Sequence, residues 1–182
     1  MLDALSGVEV PEVCSAERIA DVGAGAGFPG LVLAIELPGA QVDLVESARR
    51  KADLIGRLIE AAAIPNARPV RARAEEWAAG EGAGAYDVVT ARAVGPLAVL
   101  AEYAAPLLRE GGVLVAWKGT VSEEEDAGGR RAAVELGLAP RDPLAVKPFP
   151  EARDRRLYVY EKTGPTPSRY PRRPGIAGKR PL

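Results

Sequence analysis

The chain has 182 residues, 47% of them hydrophobic, and a formal net charge of −1. That length supports one domain with a sizeable core, and the near-neutral total does not by itself announce a nucleic-acid partner. A single cysteine, Cys14, and no histidine exclude an internal disulfide, a histidine-dependent triad and, in practice, a Cys/His zinc site.

The elements alternate from the start. Arg18–Val22 reads as a first strand that ends in an acid, Asp21, and opens into a loop with glycines at 23, 25, 27 and 30. A helical stretch, Gly30–Glu36, follows at once. Glycines at such a junction let the backbone approach a bound cofactor closely, and the new helix turns its free N–H groups toward it. Gly25-x-Gly27-x-x-Gly30 satisfies a dinucleotide fingerprint, with Glu46 at the end of the next strand. Gly23-x-Gly25-x-Gly27 after Asp21 suits S-adenosylmethionine (SAM), which has no pyrophosphate to neutralise. Glu46 fits both, because a carboxylate there accepts from two ribose hydroxyls.

Further strands are expected at Gln41–Glu46, Ala67–Ala72, Tyr86–Ala91 and Gly112–Trp117. Helices are expected at Arg49–Ala63, Ala74–Ala79 and Pro96–Arg109. This alternation implies right-handed crossovers and a mainly parallel sheet. Asn66 reads as a turn residue after Pro65. Ser122–Gly137 follows as a helix with an acidic start that complements its dipole, weakened by Gly128 and Gly129. Pro143–Phe149 and Arg156–Glu161 then read as a hairpin across the charged turn Glu151–Arg155, with the last strand antiparallel. Five parallel strands, a helix and a closing hairpin form a seven-stranded Rossmann-like α/β sheet of the class I SAM-dependent methyltransferase plan. A nicotinamide enzyme would need a catalytic domain that the chain does not offer.

Residues 1–163 are read as the methyltransferase domain and 164–182 as a tail. That tail carries five prolines and three glycines, too many for regular structure. Its basic residues Arg169, Arg172, Arg173, Lys179 and Arg180 have no acid among them, leaving about −6 for the rest of the chain. It is expected to lie extended on the domain or on a partner, either as a solvated terminus or as a phosphate-contacting arm. No apolar stretch reaches membrane-spanning length and no signal-peptide pattern begins the chain. The expectation is a cytoplasmic protein with no membrane partner and no metal, of unspecified oligomeric state.

Several segments coincide with one family. They are DVGAGAGFPG at Asp21–Gly30, LVES at Leu44–Ser47, RAEE at Arg73–Glu76 and YDVVTARAV at Tyr86–Val94. PLLREGG at Pro106–Gly112, WKG at Trp117–Gly119 and TPSRYPRRPG at Thr166–Gly175 continue the match. On these the chain resembles the bacterial 16S rRNA (guanine-N7)-methyltransferase G family, also called glucose-inhibited division protein B. Leu2–Leu5 resembles the end of an N-terminal helical cap in that family, so a chain without the cap is expected.

The resemblance implies that Gly23 and Phe28 line a SAM site and that Ala74 and Glu75 hold the adenine end. It places Arg92 where the target base enters, with 16S rRNA or the small ribosomal subunit as partner. The residues themselves agree. Gly23 and Gly25 permit the close turn, Glu46 suits the ribose diol, and Phe28 either walls the pocket or packs in the core. Glu76 competes with Glu75 for the adenine role or simply starts a helix. Arg92, directly after an apolar strand, lands at the carboxyl edge of the sheet, where it can bind the SAM carboxylate or a phosphate bidentately. Lys118, at the matching edge of the fifth strand, can contact the RNA backbone or guanine O6. Trp117 and Phe28 are candidates to stack on the base. No general base is named, because guanine N7 bears a lone pair and no proton. A transferase with another acceptor, and a non-catalytic SAM- or RNA-binding subunit, remain as alternatives.

Overall fold

Five segments, most of them rich in buried apolar residues, form the parallel part of one sheet. A computed structural model describes residues 1–182. The parallel strands are β1 (Arg18–Val22), β2 (Gln41–Val45), β3 (Ala67–Val70), β4 (Tyr86–Arg92) and β5 (Leu108–Lys118). Before them lie α1 (Leu2–Leu5), a tight turn at Ser6–Glu9 and α2 (Pro11–Cys14). Between and after them run α3 (Gly30–Glu36), α4 (Arg49–Ala62), α5 (Ala74–Ala78), α6 (Leu97–Ala104) and α7 (Glu123–Glu135). The chain closes with β6 (Leu138–Pro140), β7 (Leu144–Ala145), β8 (Arg156–Lys162) and α8 (Ile176–Lys179).

The strand order is β3-β2-β1-β4-β5-β8-β6, with β7 also paired to β8. Strands β1 to β5 pair in parallel, whereas β8 is antiparallel to β5, β6 and β7. The mainly parallel plan with an antiparallel last strand is as expected, but the sheet has eight strands rather than seven. The added one, β6, is three residues long and ends in Pro140, which gives no period to read. The expected strand Pro143–Phe149 shrinks to Leu144–Ala145, since Pro148 and Pro150 remove ladder donors. The helix expected through Arg109 stops at Ala104, just ahead of Pro106, and β5 begins early at Leu108.

Alternation along each strand splits the core between the two faces of the sheet. Ala20, Val89, Leu114 and Tyr160 face α5, α6 and α7. Ile19, Val88, Val115 and Val159 face α2, α3 and α4. Gly129 has its reason here. A Cβ on it would come within 2.6 Å of Leu97 Cβ and of the Tyr160 hydroxyl, so the glycine lets α7 lie close on α6. Asn66 is buried, and its Nδ2 donates to the carbonyls of Ala34 and Ala40 at 2.9 and 2.8 Å, satisfying the end of α3. The tail is not wholly irregular, because it contains α8.

Candidate cofactor and substrate site

The glycine loop is held by two carboxylates. Asp21, at the end of β1, is buried. Its Oδ2 accepts the Gly30 N–H at 2.9 Å and its Oδ1 accepts the Thr90 hydroxyl at 2.9 Å, joining β1, β4 and the start of α3. Burial pushes its carboxyl up to about 7, against the opposing pull of those two hydrogen bonds. Glu46, one residue beyond β2, accepts the Gly25 N–H at 3.1 Å through Oε2 and the Ala48 N–H at 2.8 Å through Oε1. Gly23 has a φ of +68°, and a Cβ there would meet Val94 Cγ2 at 2.6 Å. Gly25 has a φ of +60°, yet a Cβ on it would meet only the Gly23 carbonyl, at 3.7 Å.

A first cavity of about 200 Å³ opens at the carboxyl ends of β1, β2 and β3. Gly23, Glu46, Ala74 and Glu75 all line it, so the structure brings together four expected site residues from three βα junctions. Gly25 borders it through its bond to Glu46. Val22, Arg73, Val94 and Tyr103 are among the other lining residues, and Tyr103 carries no local sequence signal. The two acids lie in different places. Glu76 accepts the Arg73 N–H at 3.1 Å and so caps α5, while buried Glu75 faces the cavity. Glu75 has a second partner, the backbone N–H of Gly175 at 2.8 Å.

A second cavity, about 420 Å³, lies at the same edge beyond β4 and β5. Arg92, Ala93, Lys118, Thr120, Arg155 and Arg156 are among its lining residues, with Asp3 from α1. Arg92 Nη1 donates to Asp3 Oδ2 at 3.1 Å, and its guanidinium stands 5.9 Å from the Phe28 ring. Lys118 Nζ pairs with Glu125 at 2.6 Å and donates to the Gly95 carbonyl at 3.2 Å. Antiparallel pairing of Lys118 with Arg156 is what carries the charged turn to this edge. On sequence alone that turn reads only as a connection.

The two aromatic candidates lie in different surroundings. Trp117 is buried, with Nε1 donating to the Asp3 carbonyl at 2.8 Å and the Ser6 hydroxyl at 3.1 Å. A Cβ on Gly7 would lie 2.7 Å from its ring, so part of the ring packs on the N-terminal segment, while the residue also lines the second cavity. Phe28 lies in neither cavity described above, but in an apolar recess with Ala26, Leu31, Ile35 and Leu58. The tail also uses its charge at home: Arg169 pairs with Glu135 at 2.8 Å, and Arg172 forks onto Glu102.

The first cavity fits a nucleoside with a sulfonium tail better than a dinucleotide. Glu46 and Glu75 offer acceptors to ribose hydroxyls and to an exocyclic amine. The Gly30 N–H at the start of α3, which a pyrophosphate would require, is already taken by the buried Asp21 carboxylate. Fold and cavity together define a Rossmann-like SAM-dependent methyltransferase. The chain superposes on Aeropyrum pernix fibrillarin, solved with natively bound SAM, at a TM-score of 0.67 and 19% identity, covering 87% of this chain and 72% of that one. A SAM-dependent O-methyltransferase from Thermotoga maritima gives 0.68 at 17% identity, with 89% and 65% covered.

The chain belongs to the rRNA small subunit methyltransferase G family, which its residues 1–144 match. Proteins named ribosomal RNA small subunit methyltransferase G include one from Rubrobacter xylanophilus, 44% identical over 100% of this chain and 71% of its own length. Another, from Deinococcus radiodurans, is 46% identical over 89% of this chain and 64% of its own.

Proposed function

We propose that the chain transfers the methyl group of SAM to N7 of a guanine in 16S rRNA of the small ribosomal subunit. The observation that carries this reading is the placement of the two cavities. They share the carboxyl edge of the sheet, with Val94 lining one and Ala93 the other. A nucleoside-sized recess thus adjoins a larger recess lined by Arg92, Lys118, Arg155 and Arg156, the charge expected where a polyanion enters.

When bound, SAM supplies an electrophilic methyl group on a sulfonium sulfur. Glu46, fixed by the Gly25 and Ala48 N–H groups, is oriented to accept from the ribose diol. Glu75 and the backbone of Ala74 border the adenine end. Gly23 leaves the methionine end room that a side chain would fill. Arg92, at the end of β4, can hold a carboxylate of the cofactor or a phosphate of the RNA. The acceptor nitrogen has no proton to lose, so these residues act by alignment and charge rather than by acid–base transfer. Reaching the second cavity requires the base to leave its stack. Arg155 and Arg156 offer phosphate contacts at that opening.

The test is to incubate the chain with methyl-labelled SAM and small subunits lacking the modification, then map label in the rRNA. N7-methylguanosine at one position is the expected result. Cofactor binding with no label in the RNA would reject the acceptor.

A further inference from the structure

The second cavity holds one carboxylate among several cations, and one of its oxygens is unused. Asp3 Oδ2 is engaged by Arg92, but Asp3 Oδ1 is buried and accepts no hydrogen bond. The Arg155 Nε stands 3.8 Å from it, beyond hydrogen-bond reach. A buried carboxylate oxygen without a donor is costly, and a native fold keeps one only with a reason. The Arg155 side chain over it is about half exposed (47%) and leads to solvent, so it can swing away without disturbing the core.

We propose that Asp3 reads the Watson–Crick edge of the target guanine, accepting its N1–H and N2 amino hydrogens. This rests on the guanine-N7 reading given above. The chemistry selects the base. Guanine presents two adjacent donors on that edge and an acceptor, O6, next to them, which matches a carboxylate paired with Arg92 in a cavity that Lys118 also lines. Adenine presents a lone acceptor at N1 and would face the carboxylate with a repulsive lone pair. Cytosine and uracil have no N7. Arg155, displaced from above Asp3 by the entering base, becomes free for a phosphate.

The same contact assists the reaction. Methyl transfer forms the N7–carbon bond as the carbon–sulfur bond breaks, moving one positive charge from the sulfonium to the purine ring. N1–H and the amino group become stronger donors as that charge arrives. Their hydrogen bonds to Asp3 therefore tighten toward the transition state. Asp3 is a specificity-determining residue that touches the reacting base but not the reacting atom.

The experiment compares small subunits reconstituted with guanine or inosine at the methylated position, since inosine keeps N7, O6 and N1–H and lacks only the amino group. The wild-type chain is expected to methylate the inosine substrate with kcat/KM lower by roughly tenfold or more, as for a lost hydrogen bond to a charged group. Asp3→Asn is expected to lose roughly ten- to a hundredfold on guanine, to keep its SAM affinity, and to show a much smaller difference between guanine and inosine. Equal wild-type rates on both substrates would overturn the proposal even if Asp3→Asn failed to fold. An undiminished inosine penalty in a folded Asp3→Asn chain would overturn it as well. Failure of the wild-type chain to methylate the guanine substrate would instead reject the underlying reading of the acceptor.

Discussion

Glu75 accepts the backbone N–H of Gly175 at 2.8 Å, so the carboxylate that borders the first cavity also anchors the C-terminal segment. The segment is fastened again where Arg172 Nε donates to Glu102 Oε1 at 2.7 Å, in a forked pair whose carboxylate is only 1% exposed. Removing Arg172 strands that charge in the interior. Arg172→Ala is expected to lower the unfolding free energy by about 3 kcal/mol, the usual cost of breaking rather than replacing a buried pair. Urea denaturation checks this, and a loss of a few tenths would mean that the segment peels away freely.

Asp21 makes the stability depend on pH. Its folded carboxyl titrates near 7, because burial raises it from the usual value of 3.8. The folded state then holds the proton more tightly than the unfolded chain does. Stability from this group is complete below about 4, falls as pH rises toward 7, and stays at its lower level above that. In Asp21→Asn the amide oxygen can accept from Gly30 while its nitrogen donates to the Thr90 hydroxyl, so no buried group is orphaned. The variant is expected to be more stable than the wild type at pH 8 by up to a few kcal/mol, each pKa unit being worth about 1.4. It should also lose the decline between pH 4 and 7. Denaturation curves over that range decide it, and a wild-type slope retained by the variant would place the titrating group elsewhere.

What the sequence made legible was local or set by parallel order. The runs at Ile19–Val22, Val42–Val45 and Val113–Trp117 are mostly apolar, so the strands could be placed. Residues just past strand ends then fall at one edge of a parallel sheet, which is why Gly23, Glu46, Ala74 and Glu75 meet. The second cavity was only half visible. Arg155 and Arg156 reach it through the antiparallel β5–β8 pairing, and Asp3 lies 89 positions from its partner Arg92. No local pattern encodes such a meeting. Trp117 lines that cavity while its ring packs beneath Gly7, a double placement that its residue type alone does not reveal.

Gly25 separates cofactor binding from folding. Its left-handed backbone penalises any side chain by roughly 1–2 kcal/mol, but little in the protein stands near the new Cβ. Gly25→Val is therefore expected to keep the fold, with a melting point lowered by several degrees, while its branched side chain intrudes where the loop meets the cofactor. Calorimetric titration with SAM should show affinity reduced by at least about a hundredfold, as when roughly 3 kcal/mol of binding energy is lost. Unchanged affinity would move the cofactor away from this loop.

The two basic regions of the chain predict different salt behaviour. Arg169 and Arg172 in the tail are paired with Glu135 and Glu102. Arg155 and Arg156 instead line the second cavity, and the acid nearest Arg155, Asp3, stands 3.8 Å away. Of these four cations, Arg155 and Arg156 are therefore the ones left to release counterions. Arg155→Ala with Arg156→Ala is expected to flatten the plot of log affinity for rRNA against log salt by about 1.4, roughly 0.7 for each single-strand phosphate left without its cation. Arg169→Ala is expected to leave that slope nearly unchanged, because its charge is already answered within the protein. Filter binding between about 50 and 200 mM salt, a range in which phosphate binding weakens measurably, distinguishes the two. A slope that falls with Arg169→Ala and persists without Arg155 and Arg156 would return the RNA-binding role to the tail.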